Sequence, residues 1–393
     1  MTALGLAAAD IEELRLTLTE LVAAELTAAA ELRRDLHRNP ELSGAECATA
    51  VAVASALGSP DAESIAGTGR LIRIGPPDGP CIAIRAELDG LPIPEQTGVS
   101  WASANGAMHA CGHDVHLAAL TALGRAARQA DLPVAVLAVL QPREETAPSG
   151  AMDVVTSPEF AAQHPAAMIG VHLQHLLPAG TVAVPAGVVN AATDDFEITV
   201  TGRGGHAGYP QLAADPVLAL CQSVVALQQL ISRRIDPTHA AVISVGTLQA
   251  GHAPNVIPAT AAASGTIRTL DGHDRQFLRS AIGDTVAAVC LAYGCEGAVT
   301  VVPAEPALVN DPRLADACQP LLRRAGYLVE TGFASCGADD FAYYGTALPS
   351  VMMFAGSGTS VSLHHAEFLP ADGAIGDVAS AMLAGYLGAL KVG

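Results

Sequence analysis

The period of apolar and polar positions changes several times along the chain, and each change predicts an element. Residues 12–38 set Leu14, Leu18, Leu21, Val22, Leu26 and Leu32 on one helical stripe, and Asn39-Pro40 stops it. Two later runs, CIAIRAEL (81–88) and PVAVLAVLQ (133–141), are apolar without alternation, the mark of strands buried on both faces. MIGVH (168–172) is a shorter run of that kind, and a helical pattern over 114–130 lies between the first two. Strands alternating with helices predict an α/β domain, a mostly parallel sheet with helices on both faces.

Near residue 190 the pattern shifts. FEITVTG (196–202) alternates and a glycine-rich loop follows it. A helix over 215–232 carries Val217, Leu220, Cys221, Val224, Leu227 and Ile231 on one face. Then come AVISVGTLQ (241–249), ASGTIRTL (263–270), a helix over 273–293 and GAVTVVP (297–303). That order, β-α-β-β-α-β, is the split ferredoxin-like arrangement of a small α+β domain. After Pro303 the first pattern resumes, with a helix at 312–325, a strand at 349–356 and a helix from about 373. The prediction is a larger domain built from 1–188 and 304–393, with 189–303 inserted as a second domain.

Composition narrows what such a chain does. At 393 residues it is too long for a single core. With 50% hydrophobic residues but only 4% aromatic, alanine, valine and leucine fill the interior, and a disordered chain is excluded. Thirty-nine acidic against 20 basic side chains leave a net charge of −19, which repels phosphate backbones and anionic lipid. Neither nucleic acid nor membrane is therefore an expected partner. The mean hydropathy of +0.36 is high, yet no run reaches the ~18 consecutive apolar residues of a spanning helix. The N-terminus lacks a basic start, and Asp10, Glu12 and Glu13 interrupt its apolar run, so the expectation is a cytoplasmic protein without a signal peptide. Eight cysteines are scattered with no CxxC pair, and seven are expected to be small buried apolar residues.

Cys111 is the exception, because it sits in Met108-His109-Ala110-Cys111-Gly112-His113-Asp114-Val115-His116. Thiolate and imidazole suit zinc and its neighbours, and Gly112 lets the backbone turn so that Cys111 and His113 face one point. The bland alternative is a polar loop leading into a helix capped by Asp114. Gln141-Pro142-Arg143-Glu144-Glu145 follows a buried strand, where open α/β sheets keep their ligands. Adjacent side chains diverge there, so one carboxylate can bind metal while the other faces substrate; the alternative is an acidic turn paired with Arg143. His172 and His175 follow the third strand, and Leu363-His364-His365-Ala366-Glu367-Phe368 lies near the C-terminus. A spread Cys/His/Glu set with spare carboxylates is unlike a closed structural zinc site and suggests an open catalytic one, with two metals.

These motifs resemble the aminoacylase, hippurate hydrolase and auxin-conjugate amidohydrolase branch of the dinuclear metallopeptidases. The likeness runs through LRRDLHRNPELSGAE (32–46), AELDGLPIPE (86–95), MHACGHDVH (108–116), QPREE (141–145), GVH (170–172), GRGGHAGYP (202–210), PNVIP (254–258), GTIRT (265–269), GADDF (337–341) and LHHAEF (363–368). The resemblance implies a zinc-peptidase-like catalytic domain with an inserted lid and dimerisation domain. It implies two divalent ions per subunit, zinc first, with Mn²⁺, Co²⁺ or Ni²⁺ as alternatives, held at Cys111, His113, Glu145, His172 and His364. Glu144 takes the position of the general base and acid, and Asp89 that of a residue supporting the ligands. His206, Asn255 and Arg268 take substrate-contacting positions, with His206 reaching across a homodimer interface.

The activity implied is hydrolysis of the amide of a small N-acyl amino acid, with dipeptide or carboxypeptidase activity as the alternative. Two further readings compete: a Cys111 nucleophile paired with His109 or His113, and a binding protein without turnover. The chain also departs from its relatives. Glu87 stands where they commonly have aspartate (ADMDALP), His175 replaces a proline, Gln211 a histidine and Asp339 a glutamate. None of these is an expected ligand, so they bear on substrate preference.

Overall fold

The computed structural model describes residues 7–392. It divides into two compact units. The larger takes the chain up to Gly187, Val309–Phe333 and the part from Asp340 onward. The smaller takes Val188–Leu308 and also Ala334–Asp339, a short segment that the pattern had left with the larger domain.

The larger unit is built on an eight-stranded sheet. Its centre is parallel: Cys81–Glu87 lies between Ala135–Gln141 and Pro165–Gln174, and the latter pairs with Ser350–Gly356. All seven positions of Cys81–Glu87 and of Ala135–Gln141 are buried, as their unbroken apolar pattern requires. Gly69–Ile74 adds an antiparallel strand beside Ala135–Gln141. The two arginines in GRLIRI obscured it in the sequence.

On one face Ile82, Ile84, Val136, Ala138, Ile169 and Val171 share a core with helices Ala8–Arg38, Cys47–Ala56, His113–Arg128, Pro312–Arg324 and Gly373–Val392. The opposite face meets Phe341 and the short helices Gly150–Val155 and Ala342–Gly345. Helices on both faces of a mainly parallel sheet are the α/β class that the alternation predicts.

Helix Gly373–Val392 is long and apolar enough by composition to cross a membrane, but 78% of its most apolar window is buried inside the unit. Its Gly385 lies so close to the sheet that a Cβ there would come 2.4 Å from Cγ2 of Ile169. Only glycine permits that approach.

The smaller unit has a four-stranded antiparallel sheet in the order Ala241–Ala250, Thr260–Thr269, Ala192–Thr201, Glu296–Pro303. Phe196, Ile198, Val200 and Ile267 pack with Leu220 and Leu227 of helix Pro216–Arg234 and with Leu278, Ile282 and Val286 of helix Gly272–Ala292. Each helix opens on an aspartate, Asp215 or Asp271, whose side chain accepts two amide N–H groups of the first turn. The cysteines correct the expectation made for them. Besides Cys111, Cys81, Cys290, Cys295 and Cys318 are buried, whereas Cys47 and Cys221 are exposed and Cys336 is half-buried.

Candidate metal centre

Parallel strands put their carboxyl ends side by side, and here Glu87 pairs with Gln141 at the ends of two such strands. The loops that leave this edge carry the chemistry. Cys111 ends one loop and Gly112, with φ +88°, turns the backbone into helix His113–Arg128. That left-handed residue is the N-cap, and Asp114 is not: its carboxylate is drawn sideways by Arg33 at 2.9 Å and His37 at 3.0 Å. His364, itself at φ +63°, donates its N–H to Ala110 O, tying the C-terminal loop to the Cys111 loop.

Six side chains named from the sequence meet in the larger unit. Cys111, Glu145 and His364 form one group of candidate ligand atoms within 4.8 Å of one another, and His113, Glu144 and Glu145 form a second, so Glu145 is common to both. His172 Nε2 lies 3.4 Å from Cys111 Sγ. Two of the imidazoles are anchored in the same way, although their rings stand at 90° to each other. His113 Nδ1 donates to Asp89 O at 2.8 Å and His172 Nδ1 to Leu173 O at 2.6 Å, which turns each Nε2 toward the same space. His116, although in the same run, is engaged on both nitrogens: Nδ1 by Glu87 at 2.9 Å, and Nε2 by the N–H of Leu173 at 3.0 Å.

The donor set fits a divalent cation. His113 Nε2 is buried without a hydrogen-bond partner, a costly arrangement unless something fills the space beside it, and Glu145 Oε1 has the imidazole of His364 at 3.3 Å. Burial favours neutral His113, yet Glu87, Asp89 and Glu145 outweigh it and draw the imidazole up to about 10. Burial also pushes the Cys111 thiol well up, and Glu145 and Glu144 push it the same way. In both side chains the neighbouring carboxylates favour added positive charge. Sulfur, nitrogen and oxygen donors together suit zinc and the later first-row ions.

Asp89 supports the site from beneath. Its Oδ2 accepts the N–H of Glu145 at 3.0 Å and the hydroxyl of Ser43 at 2.6 Å. Burial raises this carboxyl, but hydrogen bonding from His113 and Ser43 outweighs that and brings it to about 2. The guanidinium of Arg143 reaches Asp153 at 2.5 Å.

His206, Asn255 and Arg268 belong to the smaller unit. His206 pairs in a short ladder with Val256, and Ala207 N–H donates to Asn255 O, so these two motifs adjoin. Arg268 is half-buried and donates to Cys336 O at 3.2 Å.

Sequence reasoning passed over several buried residues around the centre. Arg85 bonds Glu87 and Asp340 from inside a continuously apolar strand. Arg33 and His37 project from the first helix onto Asp114, and His37 also meets Glu95 at 3.1 Å. The available signal was a charge within a buried run, which demands a buried partner.

Comparisons with known proteins identify the family. The Peptidase family M20/M25/M40 matches residues 83–385. The chain belongs to that family. An N-acetylcysteine deacetylase of Bacillus subtilis (strain 168) is 36% identical over 345 residues, covering 86% of this chain and 90% of the relative. An N-acetyldiaminopimelate deacetylase of the same organism is 35% identical over 365 residues, covering 90% and 96%. Among solved structures, a putative aminohydrolase from methicillin resistant Staphylococcus aureus superposes with a TM-score of 0.87 at 30% identity, covering 96% of this chain and all of that one. The Bacillus subtilis YXEP protein, described as a dinuclear metal binding peptidase from the M20 family, gives 0.80 at 32% identity over 93% and 98%. This M20 protein is accordingly an enzyme, a hydrolase of amide bonds.

Proposed function

We propose that this M20 enzyme removes the acyl group from N-acylated amino acids, within the aminoacylase-like branch that its motifs resemble, with small acyl groups such as acetyl preferred. The observation that carries the reading is the convergence of one thiol, three imidazoles and Glu145 with a further carboxylate, Glu144, beside them. Cys111, His113, Glu145, His172 and His364 would hold two divalent ions, zinc first. Bound there, the ions would supply Lewis acidity and a water acidic enough to lose its proton near neutrality.

Glu144 would take a proton from the attacking water and deliver it to the departing nitrogen, a role in which one carboxyl is base and then acid. Arg268 and Asn255 would hold the substrate carboxylate, for which a guanidinium offers a two-pronged fork. His206 would donate to the developing oxyanion, from the partner subunit of a homodimer. Support for the dimer is the edge strand Ala241–Ala250, which has a paired strand on one side only among the described residues. A cytoplasmic setting belongs to the same proposal, supported by eight cysteines all unpaired.

A nucleophilic Cys111 is less well supported. Burial and adjacent carboxylates disfavour its thiolate, and its near neighbour is His172. The deacetylase names of the relatives favour acyl-amino acids over dipeptides. The test is a panel on metal-loaded protein: N-acetylcysteine, N-acetyldiaminopimelate, hippurate and a dipeptide, scored by release of free amine. Release from the acetylated compounds, lost with chelator and restored by zinc, is expected. Release from the dipeptide alone, or none with metal bound, overturns the reading.

A further inference from the structure

Glu144 lies in a turn whose backbone is unusual. Arg143, the residue before it, has φ +53°, a left-handed conformation that a non-glycine residue keeps only when its surroundings enforce it. What enforces it is visible. The N–H of Arg143 donates to Glu46 Oε1 at 2.9 Å, its carbonyl accepts the N–H of Gly150 at 3.0 Å, and its guanidinium reaches Asp153.

Glu46 is fully buried, and its carboxylate collects donors from three segments. Oε1 also accepts the N–H of Gly44 at 2.8 Å, and Oε2 accepts the hydroxyl of Thr68 at 2.6 Å. An acceptor-only group with several lone pairs suits such a junction. On the other side of Glu144, the N–H of Glu145 is held by Asp89, which is itself held by Ser43. The amides flanking Glu144 are therefore pinned by two buried carboxylates. Both connect to the same turn, residues 43–46.

We propose that Glu46 is a positioning residue for the proton-transfer step: by holding Arg143 in its left-handed conformation it aims the Glu144 carboxylate. The inference rests on Glu144 being the general base. The hydrogen bonds of Glu46 go to Arg143, Gly44 and Thr68 rather than to a proposed metal ligand, and the one that reaches the residue next to Glu144 is the Arg143 N–H.

The test uses the metal-loaded full chain and an N-acetyl amino acid that it hydrolyses. Glu46→Ala should lower kcat by about 10–100-fold, the scale of an ångström-level misplacement, while KM and metal content stay near wild type. Glu46→Gln should recover most of that loss, because its amide oxygen still accepts both N–H groups and the Thr68 hydroxyl can turn to accept from the new NH₂. Adding Arg143→Gly to Glu46→Ala should restore kcat by at least about tenfold, since glycine adopts positive φ without steric cost. A merely structural role would not show that rescue.

If Glu46→Ala does not fold, Arg143→Gly and Arg143→Val ask the same question. Both lose the guanidinium, but a β-branched residue resists positive φ, so the glycine variant should have the higher kcat. Wild-type kcat in folded Glu46→Ala, or a loss that Arg143→Gly does not relieve, overturns the proposal, as does equal kcat in the glycine and valine variants. Glu144→Gln run alongside separates the two ideas. If it stays active the base assignment falls; if it is dead while Glu46→Ala is fully active, positioning alone falls.

Discussion

Replacing Glu144 by glutamine exchanges one carboxylate oxygen for an NH₂ and alters almost nothing else. The turn that carries it is held by the amides of Arg143 and Glu145, neither of which involves the Glu144 side chain. The loop geometry should therefore survive, along with metal content and KM. What disappears is the capacity to take a proton. Removing a general base costs about 10²–10⁴ in rate, or about 3–5 kcal/mol of barrier, and more where the same group is also the acid. The neighbouring substitution should behave differently. Glu145 belongs to both candidate ligand groups, and its Oε1 faces His364 Nε2 at 3.3 Å. A neutral amide there is a weak donor to a divalent ion, so Glu145→Gln should lose metal before it loses shape. Elemental analysis, circular dichroism and turnover on both purified variants distinguish the roles. An active Glu144→Gln, or a fully metallated Glu145→Gln, would refute the assignment of base and ligand.

Three further outcomes follow from the same geometry. Gly112→Ala should cost at least the roughly 1–2 kcal/mol of a left-handed alanine, because its Cβ would also meet Leu173 Cδ1 at 2.8 Å; thermal melts should show the loss, and metal content should fall as Cys111 and His113 are pulled out of line. Arg85→Leu should destabilise by about 3–5 kcal/mol by leaving Glu87 and Asp340 buried without their shared cation, and an unchanged urea midpoint would contradict this. For His37, burial lowers the imidazole's pKa but Asp114 and Glu95 outweigh it, so the folded value lies above the ordinary one. Its stabilising contribution is then complete below the unfolded value of about 6.5 and fades as pH rises through the folded value. The Tm gap between wild type and His37→Gln should be widest near the acid end and shrink toward alkaline pH; a gap that widens with pH would refute the ion-pair account.

The parts of the fold that were legible share one property: their burial is uniform. Cys81–Glu87 and Ala135–Gln141 are buried throughout and read as continuous apolar runs, and the alternation in Ala192–Thr201 mirrors a sheet with one covered face. Within the larger sheet, the strands that escaped notice lie toward its margins. Gly69–Ile74 mixes arginine with isoleucine, and Thr181–Ala183 and Leu328–Glu330 are three residues each. Helix Cys47–Ala56 was missed for another reason: alanine and valine on every side leave no polar face to mark its period.

The candidate site divides in a similar way. Residues that offer a donor atom to the centre are bunched in short motifs, Cys111 and His113 in one and the pair Glu144-Glu145 in another, so they stand out in the chain. Residues that hold those side chains in place do not, because an arginine, a glutamate or a serine becomes a support only through what folding sets beside it. Glu87 shows why. In the sequence it is merely an acid one methylene longer than the aspartate usual among relatives. In the structure it spans two partners: one carboxylate oxygen meets Arg85 and the other meets His116 Nδ1. His116 then passes the constraint to the backbone of Leu173, next to His172. Whether the longer acid is needed is a question of reach between a strand end and a helix, and reach is set by tertiary packing. Side-chain identity alone does not encode it.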